Sequence, residues 1–424
     1  MKEIMGNKII DPINTIEAIC KTLPTFHFNE EYEQFVLDDE SMCPCGKGRK
    51  FYDCCLSKYN SVREYYRNIE KLIEGDKKIE QYLRNKRIKN IPGYKLYEKL
   101  LKKKNLTFCL AANSETPCSD NKIRYAHTIG KSSILKILNK NQKQLFTFNR
   151  YLSYPEDSLE TYFVPIKDSE ASIVNTFCKA HDQILFKDIE NENRYTGEPI
   201  QDLQLALNAA ALNTYAQILQ ILFLQKMLNE LKEFWVIKEL YSDYAFYIKE
   251  LESSLYYSEK LVRDIEFENF GELYKFSIEL KDRVLPFAFC EGCKLDSIFG
   301  MNEKFLAFIN VFPTENSTWI TISTYEESGE EFINLLKQYG NKKEFEKILK
   351  VISDIISSQG SNIYFNAEYI NELNDHEKAI LYYFYAANGA RRIAKDINNR
   401  YLFDYNYFDK KNLYFNTITK QLSL

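Results

Sequence analysis

Four cysteines within thirteen residues, Cys43, Cys45, Cys54 and Cys55, constrain this chain more than any other feature of its sequence. The segment from Cys43 to Cys55 has too little apolar volume to form a core, so something other than burial must fold it. A tetrahedral Zn2+ does this: it takes four thiolates at about 2.3 Å and contributes the folding free energy that so short a module lacks. Gly46 and Gly48 allow the tight turn, and Phe51 and Tyr52 can cover the metal on one side. The spacing suits a reducing compartment, where grouped cysteines serve more often as metal ligands than as disulfides.

These thirteen residues resemble the SEC-C zinc motif. Cys43, Cys45, Cys54 and Cys55 fall on its ligand positions, and Gly46, Gly48, Lys50 and Phe51 on its glycines, lysine and aromatic. The resemblance implies a basic, ligand-closed zinc module that contacts ribosomes and partner proteins. With four thiolates in place it has no open position for a substrate, so it binds and does not catalyse.

A second group of soft donors follows: Cys109, Cys118, His127, Cys178 and His181, spaced C-x8-C-x8-H-x50-C-x2-H. Three of the ten cysteines and two of the four histidines are gathered here. A tetrahedral site takes four donors, so one of the five is spare or the site has two parts. Tyr125-Ala126-His127-Thr128-Ile129 and Asn175-Thr176-Phe177-Cys178-Lys179-Ala180-His181-Asp182 resemble the two halves of an HNH (ββα-metal) nuclease on a treble-clef zinc scaffold. That resemblance implies structural zinc on Cys109, Cys118, Cys178 and His181. His127 would be the general base that activates water, and Asp182 would hold Mg2+ or Mn2+ at the scissile phosphate. Ala126 stands where that family carries an acidic residue, and the cysteine and histidine spacings are longer than the family's. The words from Ala126 to Leu135 and from Phe177 to Glu190 also resemble uncharacterised bacterial proteins, which bring no activity with them.

Charge adds a partner. The net formal charge is −4, yet the stretch from Lys58 to Asn105 holds fifteen Lys/Arg against six Asp/Glu. A basic segment between two zinc modules suits phosphate tracking, and a solvated helical surface explains the same charge without a partner. The sequence therefore points to nucleic acid or a ribosome, with a protein partner as the alternative and a role in defence against foreign DNA by analogy. No uninterrupted apolar run is long enough to span a bilayer, and Met1 to Asp11 lacks the apolar core of a secretory signal, so a cytoplasmic setting is expected. Phosphate loops of the G-x-x-x-x-G-K-[ST] kind and the G-x-S-x-G elbow are absent.

The expected class is α+β and multi-domain. Residues 1–40 read as a helical lead-in stopped by Pro24, 41–58 as the first zinc module, and 59–105 as basic helices. Residues 106–195 read as the second Cys/His region, with strand-like pieces at 106–111, 123–129, 146–149 and 162–166 and a helix after Phe177. A helical hairpin over 196–270 and an α+β domain over 271–424 complete the chain, the latter with an antiparallel sheet from Val284 to Tyr325. Cys290-Glu291-Gly292-Cys293 reads as a hairpin turn, a redox pair or half a metal site, and His376 as a helix-start residue.

Overall fold

A computed structural model describes residues 26–29, 34–37, 40, 43, 49–54, 108–118, 126–130, 134–139, 144–148, 163–190, 195–230, 234–295, 304–359, 362–374 and 378. The chain divides into two compact units that alternate along the sequence: 1–124, 175–181 and 214–259 form one, and 125–174, 182–213 and 260–424 the other. The class is α+β, as expected.

The second unit is built on a seven-stranded sheet. Its strands are β4 (Gln144–Phe148), β5 (Phe163–Lys167), β7 (Tyr274–Lys281), β8 (Phe287–Leu295), β9 (Phe305–Pro313), β10 (Ser317–Thr324) and β11 (Ile363–Asn366). They lie in the order β5-β4-β11-β8-β9-β10-β7, antiparallel at every pairing. A separate two-stranded pair in the same unit joins β3 (Ala126–His127) to β6 (Ile173–Val174). Short helix α1 (Lys136–Asn139) precedes β4, and α2 (Lys179–Leu185) follows β6.

Sequence dictates the layers. β9 reads Phe305-Leu306-Ala307-Phe308-Ile309-Asn310-Val311-Phe312-Pro313 and is buried at every position, the pattern of a strand covered on both faces. One face packs on α5 (Glu330–Asn341) and α6 (Phe345–Gln359). In α6, Ile348, Leu349, Ile352, Ile355 and Ile356 recur at helical spacing and are buried, so a single stripe faces the sheet. The first turns of α3 (Pro199–Glu230) cover the other face, where the Asn310 amide donates to the Leu205 carbonyl. Gly292 permits this close approach: a Cβ on it would lie 3.0 Å from the Ala209 carbonyl oxygen and 3.1 Å from the Asn213 Cβ. Short helix α7 (Ala367–Glu372) starts on Asn366, whose side chain accepts the Tyr369 N–H.

The first unit contains the hairpin β1 (Phe26–Asn29) with β2 (Gln34–Leu37), the cysteine segments and the later turns of α3 with the earlier turns of α4 (Phe234–Glu266). Thr214 and Ser258 join the two long helices through their hydroxyls at 3.1 Å. The hairpin lies beyond the Pro24 stop of the expected helical lead-in, where Phe26 and Phe28 alternate with His27 and Asn29 and Phe35-Val36-Leu37 supply the facing strand. Residues 13–20 and the basic helices of 59–105 lie outside the described residues.

Other boundaries shift as well. β4 and β5, placed by sequence in the 106–195 region, pair instead into the large sheet through Phe146 opposite Phe365. Of the strand expected over 106–111, the described residues 108–111 are not strand but lead into turns, in which the Ala112 N–H donates to the Cys109 carbonyl and the Ser114 N–H to that of Ala111. α3 contains a stretch, Pro199–Leu224, long and apolar enough to cross a membrane by length and composition, but half of it is buried in the protein. Buried Gln201, Asp202, Gln204 and Thr214 within it mark a core helix with polar partners.

Two half-buried phenols paired with buried carboxylates tie down the sheet unit. The Tyr195 hydroxyl donates to Asp202 at 2.5 Å, and Lys275 pairs with the other Asp202 oxygen at 2.5 Å. Tyr325 donates to Asp264 at 2.5 Å. Burial, reinforced by the adjacent carboxylate, pushes both phenols well above the ordinary tyrosine range. A phenol whose folded pKa lies above its unfolded value of about 10 contributes stability that is complete below that pH and is lost as pH rises towards the folded value. The thermal midpoint is therefore expected to fall from about pH 10 upward, and Tyr195→Phe with Tyr325→Phe to make that fall shallower in melts recorded between pH 8 and 11.

Candidate metal centre

Two short segments in the first unit bring four soft donors together. The 108–118 turns carry Cys109 and Cys118, and Cys178 immediately precedes α2, which carries His181 three residues on and so on the same side of its first turn. Backbone bonds align the segments: Phe108 N–H donates to the Asn175 carbonyl at 3.1 Å and Leu110 N–H to that of Thr176 at 2.9 Å. Phe108 stacks on Tyr215 with ring centroids 6.2 Å apart, closing the apolar side.

The ligand atoms of Cys109, Cys118, Cys178 and His181 all lie within 4.8 Å of one another and could hold a metal ion. His181 Nδ1 is 3.2 Å from the Cys109 sulfur, 3.1 Å from that of Cys178 and 3.6 Å from that of Cys118. A tetrahedron with metal–sulfur bonds of about 2.3 Å and a metal–nitrogen bond of about 2.0 Å has edges of roughly 3.5 to 3.8 Å. The donors lie near that spacing, the His181 nitrogen a few tenths of an ångström closer to two of the sulfurs, and three thiols with one imidazole suit a soft or borderline cation over Mg2+ or Ca2+. All four positions belong to the protein, which closes the site.

His181 is oriented from behind. Its Nε2 lies 2.7 Å from the Thr116 carbonyl oxygen and 3.1 Å from the Ser114 hydroxyl. A ring that donates Nε2–H to a carbonyl keeps its lone pair on Nδ1, the nitrogen facing the three sulfurs. Sequence reasoning missed Thr116 and Ser114, since a backbone carbonyl in a turn has no residue signature. The Cys178 backbone N–H also donates to the Cys109 sulfur at 3.4 Å. Burial pushes the Cys109 thiol well up, with the Cys178 N–H pulling the other way, so a bound cation must supply the charge that keeps this sulfur a thiolate.

His127 is not among the four clustered donors. It is half-buried on β3, and its Nδ1 lies 2.7 Å from the Ala171 carbonyl oxygen. Asp182 is buried, at 1% exposure. A carboxylate so far from solvent is poorly placed to present an open cation to a phosphate. The five-donor surplus thus divides into a cluster of four and a separate histidine.

Of the first cysteine group, Cys45 and Cys55 lie outside the described residues. Cys43 is buried and its N–H donates to the Arg49 carbonyl at 2.7 Å; the Cys54 N–H donates to that of Phe51 at 3.1 Å. Phe51 is buried, whereas Tyr52 is 59% exposed, so of the two only Phe51 is placed as the expected cover would be. Cys290 and Cys293 lie in the middle of β8 and are not in a hairpin turn. Three apart on a strand they point to opposite faces, which rules out a shared metal or a disulfide between them. Burial pushes both thiols up, and they behave as small core residues.

No protein-family model, curated protein or solved structure matches this chain.

Proposed function

We propose that this is a cytoplasmic zinc protein that engages nucleic acid, with Cys109, Cys118, Cys178 and His181 holding a closed structural Zn2+. The observation that carries the reading is the convergence of three thiols and one imidazole nitrogen within 4.8 Å. In support, His181 has an outer partner in Thr116, and the sequence offers a second set of thiols at Cys43, Cys45, Cys54 and Cys55 and a stretch from Lys58 to Asn105 rich in Lys/Arg. A closed site supplies stability and shape, and phosphate contacts come from the basic residues.

The test is metal analysis of purified protein with binding of DNA and RNA across salt. About one to two zinc per chain and an affinity that falls steeply with salt are expected, with six or more phosphate contacts costing about 10³-fold or more between 50 and 200 mM. Binding that is insensitive to salt, or a chain free of zinc, would overturn the proposal. Co-sedimentation with ribosomes without binding to free nucleic acid would favour an adaptor with two structural zinc sites.

A second reading, a metal-dependent endonuclease with His127 as general base, is favoured by one observation. The Ala171 carbonyl beside Nδ1 sets the lone pair on Nε2, as a proton acceptor needs. The burial of Asp182 weighs against that residue as the Mg2+ or Mn2+ ligand. Cleavage with either ion that survives His127→Ala removes this reading.

A further inference from the structure

Among the described residues, four non-glycine positions have positive φ, and three of them, Glu268, Asp282 and Lys343, are exposed turn residues. The fourth, Ser172, has φ 60° and is buried at 3% exposure. A buried side chain in the left-handed region persists only where its surroundings over-determine it, and such residues cluster where geometry is being held for a purpose.

Ser172 is over-determined. Its N–H donates to the Tyr364 hydroxyl oxygen at 2.7 Å, and its carbonyl accepts the Thr128 N–H at 2.9 Å. Its hydroxyl accepts the Ile129 N–H at 2.7 Å and exchanges a hydrogen bond with the Thr128 hydroxyl at 2.6 Å. Thr128 is in turn held by the Asn362 amide at 3.3 Å, which also donates to the Cys290 carbonyl at 2.9 Å. The chain of bonds runs from β8 and the β11 region of the large sheet to the residues on either side of the His127–Ala171 contact: Thr128 follows His127, and Ser172 follows Ala171.

We propose that Ser172 and Tyr364 are positioning residues that aim the Ala171 carbonyl at His127 Nδ1, fixing the imidazole as the Nδ1–H tautomer with its lone pair on Nε2. Free histidine prefers the opposite tautomer, so the protein must impose this one. The consequence is a histidine whose basic nitrogen is Nε2. This inference rests on the second reading of His127 for its use, but the tautomer is measurable without any substrate.

The experiment is two-bond ¹H–¹⁵N correlation of the imidazoles in the full-length, zinc-loaded protein, with His127 assigned from His127→Gln. The wild type is expected to show His127 as a single Nδ1–H tautomer. Tyr364→Phe keeps the ring in the core and removes only the hydroxyl; it is expected to lower the ratio of Nδ1–H to Nε2–H at His127 at least tenfold, as is Ser172→Ala. A wild-type His127 that is mixed or Nε2–H, or a folded Tyr364→Phe with the wild-type ratio, overturns the proposal even if Ser172→Ala fails to fold. A fixed tautomer without cleavage of DNA or RNA by the wild type discards the nuclease reading and leaves the positioning role standing.

Discussion

Cys178→Ser and His181→Ala are each expected to lose the metal at the Cys109 cluster and to lower the thermal midpoint by about 8 to 16 °C. The magnitude follows from linkage: an ion held at about 1,000 times its Kd stabilises the folded state by about 4 kcal/mol, and each kcal/mol moves the midpoint of a unit this size by about 2 to 4 °C. Both residues are fully buried, so neither loss can be absorbed by solvent. Without the ion, burial drives the Cys109 sulfur back to the neutral thiol, and the 108–118 turns lose their link to the start of α2. A strong chelator should reproduce the shift in wild type, and Zn2+ should reverse it there but not in either variant. Tyr52→Ala is the control, because Tyr52 is exposed and its loss should leave the midpoint unchanged. Retained metal and an unchanged midpoint in Cys178→Ser would remove the cluster as a metal site.

What the sequence disclosed follows from how far each interaction reaches along the chain. Cys178 and His181 stand i and i+3 at a helix start, a local relation that spacing alone reveals. The stripe of isoleucines in α6 and the apolar run of β9 were legible for the same reason. β4 and β5 also carry a strand pattern and pair with each other, but β11, which ties β4 to the rest of the sheet, lies more than two hundred residues away, as Phe146 opposite Phe365 shows, and no local pattern names so distant a neighbour. Gly292 illustrates the opposite error. Between Cys290 and Cys293 it looked like the glycine of a turn, whereas its role is the close approach of β8 to α3 at the Ala209 carbonyl. The surplus donor could not be resolved from spacing either, since the choice between His127 and its four companions depends on which backbone carbonyl each ring meets: Thr116 for His181 and Ala171 for His127.

Phe365→Ala is expected to cost the sheet unit about 3 to 5 kcal/mol. Phe365 is 1% exposed and lies at the centre of an aromatic group, with ring centroids at 5.1 Å to Phe148, 5.7 Å to Phe163, 6.0 Å to Phe287 and 6.4 Å to Tyr369. The T-shaped contacts with Phe148 and Phe163 add edge-to-face attraction to the area buried. Its strand is only four residues long, yet β11 alone connects β4 and β5 to the rest of the sheet. The loss should therefore be uneven. Hydrogen exchange is expected to quicken at the amides of Leu145 and Phe146 in β4 well before those of Ile309 and Val311, which lie in a strand flanked by β8 and β10. Phe365→Leu keeps much of the volume and should cost about 1 kcal/mol with little change in β4 exchange. Equal acceleration in β4 and β9, or a cost below about 1 kcal/mol for alanine, would mean that β11 is not the joint between the two halves of the sheet.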